Sequence, residues 1–128
     1  MTRLTALLLD LDGTLLDTAP EMAEALNTLH REVGIEPLPF DQVRPTVSHG
    51  STGMLNLAFS GVEPTEFERL RARFLDTYRD ILGSNTRLFA GFDAVLDHVR
   101  RHSLAWGVVT NKPGWLTAPL LQMLDINP

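Results

Sequence analysis

Cysteine is absent from the sequence, which excludes disulfide bonds, thiolate metal sites and cysteine nucleophiles. Lysine is nearly absent as well: Lys112 is the single example, and the formal net charge is -5 at pH 7. A chain with this charge is not expected to bind nucleic acid through a basic surface. No stretch approaches the roughly 20 apolar residues that span a membrane. We therefore expect a cytoplasmic enzyme or binding domain that has neither a nucleic-acid nor a membrane partner.

What is present is an ordinary globular composition. The 128 residues are 44% hydrophobic and 21% charged, which suits one modest domain with a real core. Two stretches, "LTALLLDL" and "LAWGVVT", are apolar without polar alternation. This pattern is typical of buried strands in a parallel sheet, and it predicts that the first strand is covered on both faces.

Apolar residues recur with helical spacing in the rest of the chain. They predict helices at residues 19–33, 53–60, 65–82, 91–102 and 115–124. Thr65 and Glu68 match a capping box at the start of the third of these helices. Pro119 fits the last helix only if it lies in about the first turn. Residues 35–53 are rich in proline and glycine and are expected to be loop, with room for one short helix.

The two strands enclose an all-helical block. We interpret residues 18–83 as an inserted helical cap, and residues 1–17 and 84–128 as an α/β domain with a Rossmann-like parallel sheet. In open sheets of this kind, ligands bind beyond the carboxyl ends of the strands. The polar clusters "DLDGT" and "TNK" both follow such ends, so we expect the functional site there.

Asp10 and Asp12 stand one residue apart at the end of the first strand. Side chains alternate along a strand, so both carboxylates are expected on the same side. A solvated acidic turn is the plain interpretation. The alternative is a magnesium site, because magnesium prefers oxygen ligands and takes few of them from protein. One carboxylate could then attack phosphorus while the other moves a proton. Gly13 permits a tight turn, and Thr14 can donate a hydrogen bond to phosphate.

The second polar cluster follows the second strand. Thr110 is a hydroxyl donor, Asn111 can hold a substrate or a neighbouring loop, and Lys112 supplies positive charge. Plainer alternatives are open for two of them, since Thr110 could be an ordinary helix N-cap and Lys112 a solvated surface side chain.

The two clusters resemble the motifs of a known family. "DLDGTLLDT" resembles motif I of the haloacid-dehalogenase superfamily, D-x-D-G-T, and "VVTNKP" resembles its motif II, a strand ending in Ser or Thr. The helical insertion is similar to the cap of the phosphoglycolate-phosphatase-like branch. "SHGSTGML" and "WGVVTNKP" look most like bacterial phosphoglycolate phosphatases and N-acetylmuramic acid 6-phosphate phosphatases.

This resemblance implies a role for each matching residue. Asp10 would be the nucleophile and would bind Mg²⁺ through its carboxylate. Asp12 would be the general acid/base and would bind Mg²⁺ through its backbone carbonyl. Thr110 would bind the transferring phosphoryl group, with Asn111 and Lys112 beside it.

The implied function is a magnesium-dependent phosphomonoester hydrolase that forms an aspartyl-phosphate intermediate. 2-Phosphoglycolate is the first candidate substrate and N-acetylmuramic acid 6-phosphate the second. A phosphomutase shares both aspartates, and an inactive phosphate- or metal-binding module is the alternative of another class. Ser48, His49 and Gly50 would contact the substrate from a cap loop, unless they form a plain glycine loop with an exposed histidine.

Family members also carry a motif III lysine or arginine and a motif IV acidic residue downstream of motif II, and no lysine follows "VVTNKP" here. We therefore expect the 128 residues to be the N-terminal part of a longer phosphatase and to be inactive alone. Two parallel strands with open edges are marginal and prone to pair with another chain, so we expect this fragment to aggregate, to dimerise through these strands, or to occur only within a longer protein.

Overall fold

The computed structural model of the protein describes residues 2–128. In chain order the elements are β1 (Ala6–Leu9), β2 (Leu16–Asp17), α1 (Ala19–Glu32), α2 (Phe40–Val43), a 3-10 helix (Arg44–His49), α3 (Gly50–Ala58), α4 (Pro64–Asp80), β3 (Arg87–Leu88), α5 (Phe92–Arg101), β4 (Ala105–Val108) and α6 (Gly114–Met123). No helix within residues 2–128 is both long and apolar enough to cross a bilayer.

The two unbroken apolar stretches form a parallel sheet. The register places Ala6 of β1 opposite Ala105 of β4, and Leu9 opposite Val108. Both strands therefore end at the same edge of the sheet. With α5 leading into β4 and α6 following it, this arrangement confirms the predicted fold class, a partial Rossmann-like α/β core.

The prediction that β1 is covered on both faces is wrong for this chain. Leu8 is 69% exposed, whereas Leu7 and Leu9 are half-buried. Since side chains alternate along a strand, one face of β1 packs against the described residues and the other is open.

Helices α1 to α4, with the 3-10 helix, pack on one another and are called the helical layer below. Leu26 and Leu29 of α1 and Phe74 of α4 are almost fully buried. On the surface, Arg73 of α4 and Glu32 of α1 form an ion pair at 2.6 Å. The layer corresponds to the predicted cap, although the domain boundaries proposed from the sequence stay a prediction.

The predicted capping box at Thr65 and Glu68 is wrong. Helix α4 begins at Pro64, its N-cap is Glu63 in an extended conformation, and no side chain caps it. Proline has φ fixed near the helical value and favours extended backbone in the residue before it. The helix therefore starts where Pro64 allows it to start, ahead of the threonine.

Residues 35–53 contain more helix than predicted. Helix α2, the 3-10 helix and the first turn of α3 lie within them. Val43 and Val47 are buried. Short helices of this kind are marginal alone and depend on tertiary packing, which local composition does not reveal.

Helix α6 contains Pro119 in its second turn, contrary to the prediction that this proline must lie near the start. A proline inside a helix costs about 3 kcal/mol. Leu116 and Leu120 are fully buried, and burying a leucine contributes about 1.5–3 kcal/mol. The two leucines together offset the proline, so the helix continues through it.

The two chain segments that join the strands to the helical layer pair with each other. Strand β2 is antiparallel to β3, with Leu16 opposite Leu88 and Asp17 opposite Arg87. The sequence predicts only a linker at residues 83–91, because a two-residue strand is too short to show alternation.

Glu21 of α1 holds the same crossing from the other side. It is 1% exposed, and its carboxylate accepts hydrogen bonds from the backbone N–H groups of Gly83 at 3.0 Å and Asn85 at 2.6 Å. Hydrogen bonds to a charged acceptor are among the stronger ones. They compensate for burying the Glu21 charge and fix the C-terminal end of α4 against α1.

His30 lies inside the helical layer with 1% of its surface exposed. Neither ring nitrogen makes a hydrogen bond of good geometry within residues 2–128, and the ring meets Phe59 edge-on with 5.0 Å between centroids. Burial lowers the pKa of His30, because the charged imidazolium loses its hydration there. The folded protein therefore favours the neutral form.

Replacing His30 by leucine should reduce the loss of stability in acid. The unfolded chain takes up a proton at His30 near pH ~6.5, while the folded chain resists protonation. The free energy of unfolding should therefore decrease as pH falls below that value. The urea midpoint should drop less for His30→Leu than for wild type between about pH 7.5 and about pH 5.5. His102→Leu, at an exposed histidine, is the control; equal drops in all three proteins would contradict the prediction.

Candidate active site

The turn after β1 carries the first polar cluster. The strand ends at Leu9, so Asp10 and Asp12 lie on a turn and not within the strand as predicted. Leu11 and Leu15 are fully buried and anchor this turn. Gly13 has φ of 80°, a left-handed conformation that favours glycine. The two aspartates differ in exposure, since Asp10 is exposed and Asp12 is 6% exposed, and the expectation that their carboxylates share one side stays a prediction.

Asp10 is exposed. Its Oδ2 accepts a hydrogen bond from Thr14 Oγ1 at 3.2 Å. Thr14, predicted as a phosphate donor, is thus directed at the carboxylate in this state. An exposed carboxylate with one hydroxyl partner keeps oxygen lone pairs for other ligands.

Asp12 is 6% exposed and lies in a closed polar network. Its Oδ1 accepts hydrogen bonds from Thr18 Oγ1 at 2.7 Å and from Lys112 Nζ at 3.0 Å. Lys112 Nζ also donates to the Tyr78 hydroxyl at 2.9 Å and lies 4.4 Å from the centroid of the Tyr78 ring. The network joins the turn after β1, the loop after β4, and α4.

Lys112 is therefore not a solvated surface side chain, and that alternative is wrong. Its side chain is 3% exposed. Burial lowers the pKa of Lys112, while the neighbouring Asp12 carboxylate acts in the opposite direction. Burial also raises the pKa of Tyr78, with the charges of Asp12 and Glu21 adding to the effect. Tyr78 is accordingly a neutral partner for the ammonium group.

The loop after β4 is ordered by its own threonine. Thr110 Oγ1 accepts a hydrogen bond from the Lys112 backbone N–H at 3.1 Å, and Asn111 is exposed. Because β1 and β4 are parallel and adjacent, this loop leaves the sheet beside the turn that carries Asp10. The structure thus brings the two predicted clusters together.

Residues 48–50, predicted as a loop, are the junction between the 3-10 helix and α3, and this junction lies against both clusters. A Cβ added to Gly13 would stand 2.7 Å from Ser48 Oγ, and one added to Gly50 would stand 3.3 Å from Asn111 Nδ2. A side chain at either position would therefore require Ser48 or Asn111 to move. His49 is exposed, in agreement with the plain interpretation of this loop, and it also borders a cavity.

This cavity has a volume of about 210 Å³ and lies between the helical layer and the two core loops. Five of the predicted residues line it: Asp12, His49, Gly50, Asn111 and Lys112. The other predicted residues are not part of its lining: Asp10, Gly13, Thr14, Ser48 and Thr110. A larger groove of about 1040 Å³ beside α5 contains none of the predicted residues.

Helix α4 supplies lining residues that the sequence did not single out, among them Arg71, Phe74 and Tyr78. Their spacing places them on one face of the helix. Phe74 and Tyr78 are among the apolar residues whose helical spacing predicted this helix. The available signal was the tyrosine itself, because a buried tyrosine hydroxyl requires a hydrogen-bond partner.

The residues present fit part of a magnesium site. No group of three or more histidine or acidic side chains within residues 2–128 is arranged to hold a metal. The Asp10 carboxylate is accessible, whereas the Asp12 carboxylate is already held by Thr18 and Lys112. A carboxylate from Asp10 and the backbone carbonyl of Asp12 would provide oxygen donors of the type that magnesium prefers.

Comparison with known proteins places the chain in a family. Residues 7–127 match the family model described as haloacid dehalogenase-like hydrolase. The chain belongs to this family. Among haloacid dehalogenase-like hydrolases of known structure, a protein from Streptococcus pneumoniae superposes with a TM-score of 0.83 at 19% identity, over 98% of this chain and 58% of that one. This likeness confirms the fold.

Curated relatives add two enzyme names. A phosphoglycolate phosphatase from Xanthomonas campestris is 40% identical over 93% of this chain and 54% of its own length. An N-acetylmuramic acid 6-phosphate phosphatase from Pseudomonas aeruginosa is 38% identical over 95% of this chain and 54% of its own length. The chain thus spans about half the length of the curated relatives it matches.

Gly13→Ala should destabilise the protein more than Gly61→Ala. Both glycines are left-handed, with φ of 80° and 82°, so alanine incurs a similar strain of about 1–2 kcal/mol at either position. Nothing lies within 4 Å of a Cβ at Gly61, whereas Ser48 Oγ is 2.7 Å from one at Gly13. Urea unfolding should show the difference.

Adding Ser48→Ala to Gly13→Ala should recover the steric part of this loss and leave the backbone strain, because the Ser48 Cβ itself lies 3.9 Å from the added atom. Equal losses at Gly13 and Gly61, with no recovery by Ser48→Ala, would show that the 48–50 loop does not rest on the Asp10–Asp12 turn.

Proposed function

We propose that the full-length protein is a magnesium-dependent phosphomonoester hydrolase with 2-phosphoglycolate as its substrate. The observation that carries this proposal is the contrast between two aspartates one residue apart. Asp10 is exposed, whereas Asp12 is 6% exposed and paired with Lys112. Carboxylates in such different environments are suited to different roles in one reaction.

Asp10 is the proposed nucleophile. Its carboxylate oxygen attacks phosphorus, the bond from phosphorus to the ester oxygen breaks, and an aspartyl-phosphate forms. Thr14 donates a hydrogen bond to Asp10 at 3.2 Å, which orients the carboxylate before attack. A bound magnesium ion, held by Asp10 and the Asp12 carbonyl, would neutralise charge on the transferring phosphoryl group.

Asp12 is the proposed general acid and base. It gives a proton to the leaving alcohol in the first step and takes one from the attacking water in the second, which returns Asp10 and releases inorganic phosphate. Thr18 and Lys112 donate hydrogen bonds to Asp12. These bonds stabilise its carboxylate form, which is the form that acts as base. Thr110, Asn111 and Lys112 remain proposed phosphate ligands.

The relatives support phosphatase chemistry and leave two substrates. The cavity of about 210 Å³ is smaller than the roughly 300–1,000 Å³ of pockets for drug-sized ligands. 2-Phosphoglycolate is the first candidate because of the 40% identical relative, and N-acetylmuramic acid 6-phosphate is the second because of the 38% identical relative. Phosphate release from both compounds by the full-length protein, with and without magnesium, would decide between them.

Two alternatives to this proposal, and two further expectations, come from the sequence. A phosphomutase would convert a sugar phosphate without net phosphate release, and an inactive module would bind phosphate or magnesium without turnover. A cytoplasmic location is proposed from the sequence alone. The strand-mediated dimer of residues 1–128 stays a prediction, which rests on the two-stranded sheet of β1 and β4 and its open edges.

Asp10→Asn should abolish phosphate release by the full-length protein, because an amide is a poor nucleophile. Asp17→Asn is a suitable control, since Asp17 lies on β2 and pairs with Arg44 at 3.1 Å, away from the reacting carboxylates. Steady-state assays of both variants check the assignment. A rate for Asp10→Asn within about tenfold of wild type would contradict it, since a lost nucleophile costs far more.

Asp12→Asn should lower turnover by about 10²-fold or more, the usual contribution of a positioned acid or base. Magnesium affinity should largely survive, because the backbone carbonyl of residue 12 remains. Titration of magnesium against activity separates these effects. Loss of magnesium affinity with normal turnover at saturation would assign Asp12 a different role.

A further inference from the structure

The cavity contains two strongly basic side chains in different situations. Lys112 has a buried carboxylate partner, Asp12, at 3.0 Å. Arg71 of α4 has none at that distance: its Nε donates to the Ser51 hydroxyl at 3.2 Å, and its nearest carboxylate among the described residues, Glu68, stands 3.9 Å away. Arg71 is therefore the cavity cation whose charge is not closely matched by the protein.

Two neighbouring arginines of α4, Arg69 and Arg73, have close carboxylate partners, unlike Arg71. Arg69 makes a two-pronged contact with Glu66, at 2.9 and 2.6 Å. Arg73 does the same with Glu32, at 3.0 and 2.6 Å. Both are largely exposed, at 65% and 48% of the side chain, whereas Arg71 is 33% exposed. The more buried arginine thus has the weaker protein partner.

A partly buried guanidinium with a neutral partner is well suited to bind an anion. Its planar fork matches the two oxygens of a carboxylate. The Ser51 hydroxyl accepts from Nε and so fixes the plane of the group, while the remaining N–H donors stay available. Arg71 and Asp12 line the same cavity, so an anionic group on Arg71 would lie in the compartment where the ester oxygen is protonated.

We propose that Arg71 recognises the carboxylate of the substrate, with Ser51 orienting its guanidinium. The ligand class is a small phosphomonoester with a carboxylate a few bonds from the ester oxygen. This inference rests on the proposed phosphatase function and adds its specificity determinant: Asp10 and Asp12 act on the phosphate end, and Arg71 selects the acid end.

The test compares two substrates of similar size in the full-length protein. 2-Phosphoglycolate carries the carboxylate and ethyl phosphate lacks it. Arg71→Met should lower kcat/KM for 2-phosphoglycolate by about 10- to 100-fold, the range for losing a hydrogen-bonded charge pair, and change ethyl phosphate by less than about threefold. Arg71→Lys keeps the charge without the fork and should fall between Arg71→Met and wild type. Arg69→Met is the control, because the Arg69 side chain is 65% exposed and pairs with Glu66. This variant should match wild type on both substrates.

Selective loss of 2-phosphoglycolate hydrolysis supports the proposal. Equal losses on both substrates, or no loss, would overturn it while leaving phosphatase function intact. If wild type hydrolyses neither compound, the proposed function fails. The role of Arg71 is then tested separately, by measuring the binding of 2-phosphoglycolate by calorimetry. Weaker binding by Arg71→Met than by wild type supports carboxylate recognition, and equal binding refutes it.

Discussion

The buried ion pair between Asp12 and Lys112 is the interaction on which the site depends. Removing a charge from water costs several kcal/mol even after relaxation, so neither residue could be buried in this place without the other. Their 3.0 Å contact joins the turn after β1 to the loop after β4, and the Tyr78 hydroxyl connects both to the helical layer. Removing one partner of such a pair typically costs about 3–5 kcal/mol. The pair therefore strongly stabilises the positions of the turn after β1, the loop after β4 and α4 relative to one another.

Glu21 is a second buried carboxylate, and backbone N–H groups compensate for its charge. It is as deeply buried as Asp12, yet its carboxylate is held by two backbone N–H groups and not by a cation. The single lysine of the sequence is thereby left to Asp12, and the cavity retains an arginine with spare hydrogen-bond donors. The two buried acids thus differ in partner, a lysine for Asp12 and backbone N–H groups for Glu21.

The features that could be predicted from the sequence are those that depend on residues close together in the chain. The unbroken apolar stretches located both strands, and the adjacent Asp10 and Asp12 marked the site because strand ends and D-x-D spacing are local features. Tyr78 and Arg71 were missed because their roles depend on contacts with residues far away in the chain: Lys112 meets Asp12 across 100 positions. A helical stripe shows that one face is buried, but not what it packs against. The position of Pro119 was misjudged for a related reason, since the burial of Leu116 and Leu120 outweighs a local penalty.

The β2–β3 ladder has a mechanical consequence. The chain leaves the sheet for the helical layer through Leu16–Asp17 and returns through Arg87–Leu88, and these two passages are hydrogen-bonded to each other. Two independent tethers would let the layer twist and slide, whereas a paired ribbon resists shear and bends most easily across its width. Glu21 holds the returning segment just before this ribbon, through the backbone N–H groups of Gly83 and Asn85. The helical layer is therefore joined to the sheet by one hydrogen-bonded junction and not by two separate connections.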